Sequence, residues 1–186
     1  FSLKKKLGQL ESFFHGKSSG LDPLVSLVRK SLLVRGDEIR PVDLPFWEKP
    51  AGDGGFFLLD TGQARQAKPL IDWFNERCLD PRFTQNLEEK LLFHNQSAIE
   101  CLLDGDADGL FEAFHLVADF QFRHLPPMIP PPVRTAWLDG LASDFFKIKL
   151  CGAGGGGFML GLSRDWAATA QRLAGFRLTR LGVAQS

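Results

Sequence analysis

The chain has 186 residues, which suits one domain or one and a half, with enough length to bury a core. Its hydrophobic share of 44% is ordinary for a globular protein, and its formal net charge of +0 gives no basic field for nucleic acid. No apolar run approaches the ~18 residues of a membrane span. We therefore expect neither nucleic acid nor a membrane as a partner, and the 3 scattered cysteines favour reduced thiols in the cytoplasm.

The first fifty residues open with a helical pattern. Apolar residues recur at helical spacing over residues 3–14, and Gly16 ends the pattern. A loop of mostly small and polar residues covers 15–23, and the Pro- and Gly-rich stretch 45–55 predicts a domain boundary. Between the loop and this boundary we expect short strands over 25–28, 31–35 and 38–42.

The rest of the chain alternates helical patterns with apolar strand-like runs. Asp80-Pro81 is typical of a helix N-cap with proline in the first turn, and the proline-rich stretch 125–132 indicates an extended connector rather than a PxxP ligand. The expected helices cover 69–78, 81 to near 105, 109–124, 133–142 and 166–174. The expected strands cover 56–60, 146–150, 158–162 and 176–182. This order predicts an α+β fold with a four-stranded antiparallel sheet and helices packed on one face.

A glycine loop, which we define as Cys151–Gly157, lies between the second and third of these strands. Glycine loses much backbone entropy on folding, so a compact domain tolerates such a run where the backbone must approach something closely. Backbone amides in a concavity form an anion nest, and phosphate is its usual guest. A flexible linker is the alternative, but linkers are rich in polar residues and this loop has apolar flanks.

The glycine loop formally satisfies G-x-G-x-x-G through Gly152, Gly154 and Gly157. A dinucleotide-binding fingerprint requires a helix directly after the glycines, and here a strand is expected. A protein-kinase glycine loop does lie between strands, but no H-R-D-L or D-F-G sequence follows it. The residues around the glycines therefore fit neither a dinucleotide-binding fingerprint nor a protein-kinase glycine loop.

Two carboxylates near the start of the chain are candidates for chemistry. Glu11 lies on the first helical pattern, and Asp22 lies in the loop that follows it. One could be a hard oxygen ligand for Mg²⁺ and the other a proton acceptor, although each alone is more often a cap or a solvated charge. Together with a phosphate nest they are the parts of a phosphoryl-transfer site.

Three segments resemble, in order, the motifs of mevalonate kinases in the GHMP kinase superfamily. Residues 11–22 resemble E-x(3)-H-G-x-x-S-G-x-D, residues 60–68 resemble D-T-G-x-x-R-x-x-K, and residues 149–157 match K-L-x-G-A-G-G-G-G. The resemblance implies that 1–50 is the C-terminal part of the superfamily's N-terminal domain and that 55–186 is its C-terminal domain. It also implies ATP- and Mg²⁺-dependent phosphoryl transfer to a small alcohol. Mevalonate, an isoprenoid precursor, is the acceptor that the resemblance indicates first. A phosphomevalonate kinase or another small-molecule GHMP kinase is the nearest alternative.

The resemblance implies roles for the matching residues. Asp22 would take the proton from the acceptor hydroxyl or orient that hydroxyl, and Glu11 would coordinate Mg²⁺. Arg65 and Lys68 would offer positive charge to an anionic acceptor. The other acceptor-binding residues would be His15, Gly16, Ser19, Thr61 and Ala153. Backbone amides would lie beside the phosphates at Gly152, Gly154, Gly155, Gly156 and Gly157.

One departure from the family pattern limits what the chain can do alone. The family's upstream P-x-x-x-G-L-G-S-S-A loop, which cradles the ATP phosphates, has no counterpart in this sequence, nor has the family's N-terminal lysine. The chain therefore resembles the C-terminal portion of the enzyme, and we expect it to be inactive by itself. A homodimer is compatible with the resemblance.

Two other classes of protein share part of this sequence pattern. Residues 57–62 also resemble an aspartic-protease signature, but such a protease needs two aspartates that share a proton, and no second copy exists, which leaves only the dimeric type. That type is almost all β, whereas three helical patterns lie between residues 69 and 124. A non-catalytic module with the same fold is the other reading, and the joint presence of Glu11, Asp22 and the glycine loop speaks against it.

Overall fold

The structure of the protein is a computed structural model that describes residues 2–15, 20–36, 38–44, 54–64 and 67–182. The chain divides into two units, Phe1–Leu44 and Pro45–Ser186, and each is described by itself. The assignment of these units to two kinase domains stays a prediction. No helix among the described residues is long and apolar enough to cross a membrane.

The first unit consists of two helices and a hairpin. Helices α1 (Ser2–His15) and α2 (Leu21–Val28) precede strands β1 (Leu32–Arg35) and β2 (Glu38–Pro41), which pair antiparallel. The helix predicted over 3–14 and the two strands predicted nearest the hairpin are confirmed. The helices pack closely at Gly20, where an added Cβ would overlap the carbonyl oxygen of Lys4.

The strand predicted over 25–28 is wrong, because this segment belongs to α2. Its valines favour a strand locally, but Leu21, Leu24 and Val28 recur at helical spacing, and burial of Leu24 stabilises the helical alternative. Pro23 lies in the first turn, where a helix tolerates proline. The loop expected around Asp22 is therefore also partly helical.

The second unit contains the predicted four-stranded antiparallel sheet. Its strands are β3 (Gly55–Asp60), β4 (Phe146–Leu150), β5 (Phe158–Ser163) and β6 (Arg177–Arg180), in the spatial order β4-β5-β3-β6. The pairing places Phe57 opposite Gly161 and Leu59 opposite Met159. An added Cβ at Gly161 would overlap the ring of Phe57, so a glycine lets this ring cross the neighbouring strand.

Helices of the second unit match most of the predicted ranges. They are α3 (Ala67–Arg77), α4 (Pro81–Asn86), α5 (Phe93–Asp104), α6 (Ala107–His124), α7 (Arg134–Ala142) and α8 (Trp166–Arg172). Asp80 caps α4 as predicted, because its side chain accepts a hydrogen bond from the amide of Arg82. A π-helical segment, Leu87–Leu92, joins α4 to α5. The connector predicted at 125–132 is instead folded into two 3₁₀ turns, Pro126–Met128 and Pro131–Val133.

Both faces of the sheet carry buried side chains. One face holds Phe57 and Leu59 against α7 and its fully buried Trp137. The opposite face holds Phe56 and Leu162 against the aromatic residues of α6. The helix layer expected on one face is thus joined by α6 on the other, since β3 has apolar residues on both faces.

Candidate functional site

The glycine loop joins β4 to β5 in a backbone conformation that favours glycine. Positive φ angles between +68° and +143° occur at Gly152, Gly154, Gly155, Gly156 and Gly157. A side chain at any of these positions would strain the backbone. The run of glycines is therefore a requirement of this loop's path rather than a sign of flexibility.

The Asp60-Thr61-Gly62 turn lies directly against the glycine loop. The amide and hydroxyl of Thr61 both donate to the carbonyl oxygen of Gly157, at 2.9 and 2.8 Å. In return the amide of Gly157 donates to the carbonyl of Gln63 at 2.8 Å. An added Cβ at Gly156 would lie 2.8 Å from that same carbonyl oxygen. Two of the three sequence motifs thus meet within the second unit.

Two amides of the glycine loop are already used by the protein. The amide of Gly157 is one, and the amide of Gly155 is the other, since it donates to the carbonyl of Met128 at 2.8 Å. Among the described residues, none accepts a hydrogen bond from the amides of Gly152, Ala153, Gly154 and Gly156. Of the five glycine amides expected beside the phosphates, those of Gly152, Gly154 and Gly156 therefore remain available, together with that of Ala153.

Asp60, at the end of β3, is an ionised partner of an arginine. Its carboxylate accepts from the amide of Gly62 at 3.0 Å and from Arg177 Nη2 at 2.8 Å. The amide hydrogen bond, and then the arginine, hold the pKa of Asp60 below its usual range. An aspartic protease needs two aspartates that share a proton, and a carboxylate that is kept ionised by an arginine is poorly suited to this. The helices between residues 67 and 124 also argue against an aspartic protease.

A partly buried lysine lies at the start of the glycine loop. Lys149 belongs to the third motif, and its ammonium donates to the carbonyl of Leu150 at 3.2 Å and lies 5.9 Å from the ring of Phe114. Burial lowers the pKa of Lys149. Because its side chain lies among the aromatic residues of α6, it supports the sheet from the face opposite Leu150.

The carboxylates expected to act on the acceptor lie in the first unit. Asp22 is exposed in the first turn of α2, and Glu11 is half-buried in α1. The side chain of His15 and the residues Gly16, Ser19 and Arg65 lie outside the part of the chain that the structure describes. The meeting of Asp22 with the glycine loop stays a prediction.

Magnesium places modest demands on the protein. Within the described ranges, no group of three His, Cys, Asp or Glu side chains could hold a metal ion. A Mg²⁺ ion bound chiefly by substrate phosphates and water needs only one or two carboxylates. The role of Glu11 as one such ligand stays a prediction.

A cavity of about 490 Å³ opens beside the glycine loop at Gly155. Its wall includes Gln63 and Ala64, which directly follow the Asp60-Thr61-Gly62 turn, and Leu70 of α3. The proline-rich turns form the opposite wall through Pro127 and Ile129. The cavity is large enough for a small organic acceptor.

Two contributors to this site were not predicted from the sequence. They are the backbone carbonyls of Gln63 and Met128, which fix the amides of Gly157 and Gly155. Every residue has a carbonyl, so no side-chain pattern marks these two. The glycine run itself was the available signal, because it predicted a close backbone approach without naming the partner.

Comparison with known proteins gives a likeness of fold. No protein-family model matches the chain, and no relative is found among curated proteins. Among solved structures, it resembles L. major mevalonate kinase in complex with R-mevalonate, with a TM-score of 0.66, 16% identity, and coverage of 89% of this chain and 49% of that one. It also resembles Streptococcus pneumoniae phosphomevalonate kinase in complex with phosphomevalonate and AMPPNP, with a TM-score of 0.61, 18% identity, and coverage of 77% and 43%. The chain thus spans less than half the length of these kinases, and it shares the fold of that part.

Proposed function

We propose that this chain carries part of the active site of a GHMP-type small-molecule kinase that phosphorylates a small alcohol, with mevalonate as the acceptor. The observation that carries the proposal is the docking of the Thr61 turn onto the glycine loop, at 2.8 Å from Thr61 Oγ1 to the Gly157 oxygen. It joins two motifs that are 96 residues apart. The fold shared with mevalonate and phosphomevalonate kinases supports the proposal further.

The glycine loop would bind phosphate oxygens through its unpaired amides. The amides of Gly152, Ala153, Gly154 and Gly156 are the donors, because no described residue accepts from them. ATP supplies the phosphoryl group to be transferred, and Mg²⁺ offsets its charge. In this proposal, Thr61 holds the loop in shape while its turn lies beside the acceptor.

The first unit would supply the groups that act on the acceptor. Asp22 accepts the proton from the acceptor hydroxyl, or orients that hydroxyl, as its oxygen attacks phosphorus. Glu11 contributes one carboxylate to the metal. The acceptor pocket is completed by His15, Gly16, Ser19, Arg65 and Ala153, where Arg65 would face a carboxylate of the acceptor.

The proposal is tested in the complete protein by a screen of small alcohols with Mg·ATP, including mevalonate and phosphomevalonate. The acceptor that gives ADP release distinguishes the two kinase readings. Asp22→Asn should lower kcat by roughly 10²–10⁴ with little change in nucleotide affinity. Asp43→Asn is the matched control, since Asp43 is also exposed in the first unit but outside every motif. Near-full kcat in Asp22→Asn would remove this residue from catalysis.

Two further measurements bear on the same proposal. Glu11→Gln should weaken the Mg²⁺ dependence of the reaction, and an unchanged metal titration would make Glu11 a structural residue. A non-catalytic module would bind no Mg·ATP in the complete protein, so a calorimetric titration separates it from a kinase. The 186 residues alone should give no mevalonate-dependent ADP release.

A further inference from the structure

The proline-rich turns between α6 and α7 touch the glycine loop at one carbonyl group. The Met128 carbonyl oxygen accepts the hydrogen bond from the Gly155 amide at 2.8 Å. The same oxygen lies where a Cβ on Gly154 would be, so it would overlap any side chain there. Two successive glycines of the loop are therefore shaped around Met128.

This segment is well suited to hold a fixed position. Proline fixes φ in the 3₁₀ turns Pro126–Met128 and Pro131–Val133. Met128 is buried, as is Ile129, so their backbone cannot shift without disturbing the core. Arg134 adds a brace from outside, since its Nη2 donates to the carbonyl of Pro126 at 2.7 Å.

We propose that Leu125–Val133 is a positioning element for the glycine loop, with the Met128 carbonyl as its contact and Arg134 as its brace. By holding the amide of Gly155, it removes this group from the set that could bind phosphate. It leaves the amides of Gly152, Ala153, Gly154 and Gly156 as the available donors. This last consequence rests on the proposed function, whereas the contact at Met128 does not.

Two glycines of the loop provide a matched pair for the test. Gly154 and Gly157 have nearly the same φ, +68° and +70°, so alanine strains the backbone similarly at both positions. A Cβ at 154 overlaps the Met128 oxygen, whereas a Cβ at 157 meets nothing within 4 Å. The two variants therefore differ in the contact that the proposal concerns.

The readout is amide hydrogen exchange by NMR on the 186-residue chain. Gly154→Ala should speed exchange at Gly155 about fivefold, the loss expected for one net hydrogen bond. Gly157→Ala should change it less than about twofold, because its strain is not transmitted to Met128. Core amides such as that of Phe57 should keep their protection in both variants. Equal exchange at Gly155 in the two variants would overturn the proposal.

A second pair of variants keeps the proposal testable if Gly154→Ala does not fold. Arg134→Met removes the brace on Pro126 and should also speed exchange at Gly155. Arg123→Met is its control, because Arg123 is also an exposed arginine but its guanidinium pairs with Asp119 on α6 instead of a carbonyl of the proline-rich turns. No difference at Gly155 between these two variants would refute the role of the segment.

Nucleotide binding is measured in a separate experiment. Titration of the complete protein with Mg·AMPPNP should shift the amide signals of Gly152, Ala153, Gly154 and Gly156 and leave Gly155 protected. If exchange at Gly155 depends on the contact with Met128 but nucleotide shifts none of the amide signals, the result would support the positioning role and count against the kinase function. Nucleotide-induced movement of the Gly155 amide off Met128 would contradict the positioning role itself.

Discussion

Lys147 should make a large contribution to the stability of the second unit. It lies on β4, the strand that leads into the glycine loop, and its side chain is 4% exposed. Its ammonium donates to the carbonyls of Gly140, Leu141 and Ser143 at the end of α7, at 2.9, 3.4 and 2.5 Å. An ammonium has three N–H groups, so these carbonyls use all of them, although burial lowers the pKa of Lys147.

Lys147→Met would leave these helix-end carbonyls without a donor. Two of the contacts are short and buried, and an orphaned buried acceptor costs about 1–3 kcal/mol, so we expect a gross loss of about 2–6 kcal/mol. Methionine avoids the desolvation of a charge, which reduces the expected net loss to about 2–4 kcal/mol. With a urea m-value of about 2 kcal/mol/M, the midpoint should fall by about 1–2 M.

Urea unfolding followed by tryptophan fluorescence measures this loss, because Trp137 lies fully buried on α7. Lys68→Met is the control, since Lys68 forms an exposed pair with Asp72 at 2.8 Å that is worth less than about 1 kcal/mol. A midpoint shift for Lys147→Met no larger than that of Lys68→Met would refute the reasoning.

Two further predictions concern the second unit. Thr61→Val should destabilise by only about 1 kcal/mol in urea unfolding, because the Gly157 carbonyl keeps the amide of Thr61, and Thr61→Ser should restore most of the loss. A loss above about 3 kcal/mol would show that the turn depends on this hydroxyl far more than its contacts indicate. Burial, and then the charge of Lys147, lower the pKa of His115, so the unfolded state takes up its proton first and stability should fall as pH drops below about 6.5. Subtracting the unfolding free energy of His115→Gln from that of the unsubstituted chain isolates this contribution, which should grow as pH rises toward 6.5; a difference that shrinks over that range would contradict the assignment.

Much of the fold was predictable because its signals are local. The strand Gly55–Asp60 shows as an apolar run, and Asp80-Pro81 marks a helix start that the structure confirms. The strand prediction for residues 25–28 failed because local β-propensity competed with helical spacing. Burial of Leu24 favours the helix over the strand only in the folded unit.

The site was predictable in its motifs but not in its internal contacts. Glycine repeats in 151–157 predicted a close backbone approach, and Thr61 was expected near the same place. The sequence could not indicate that part of this approach is to the protein's own carbonyl at Met128, because that contact depends on how the chain folds back between residues 128 and 155. Likewise, the proline-rich stretch was expected to be extended, and only its packing against the loop explains its turns.

The central claim is that Asp22 and the glycine loop meet around one cavity, and a distance between spin labels tests it most directly. One label goes on the exposed native thiol of Cys151, and the other on Ser26→Cys, one helical turn from Asp22. Cys78→Ala and Cys101→Ala remove the other thiols. Groups that react together must come within a few ångströms, so we expect the labels within about 25 Å of each other once their arms are included. A distance of about 40 Å, the full diameter of a compact chain of this length, would contradict the account.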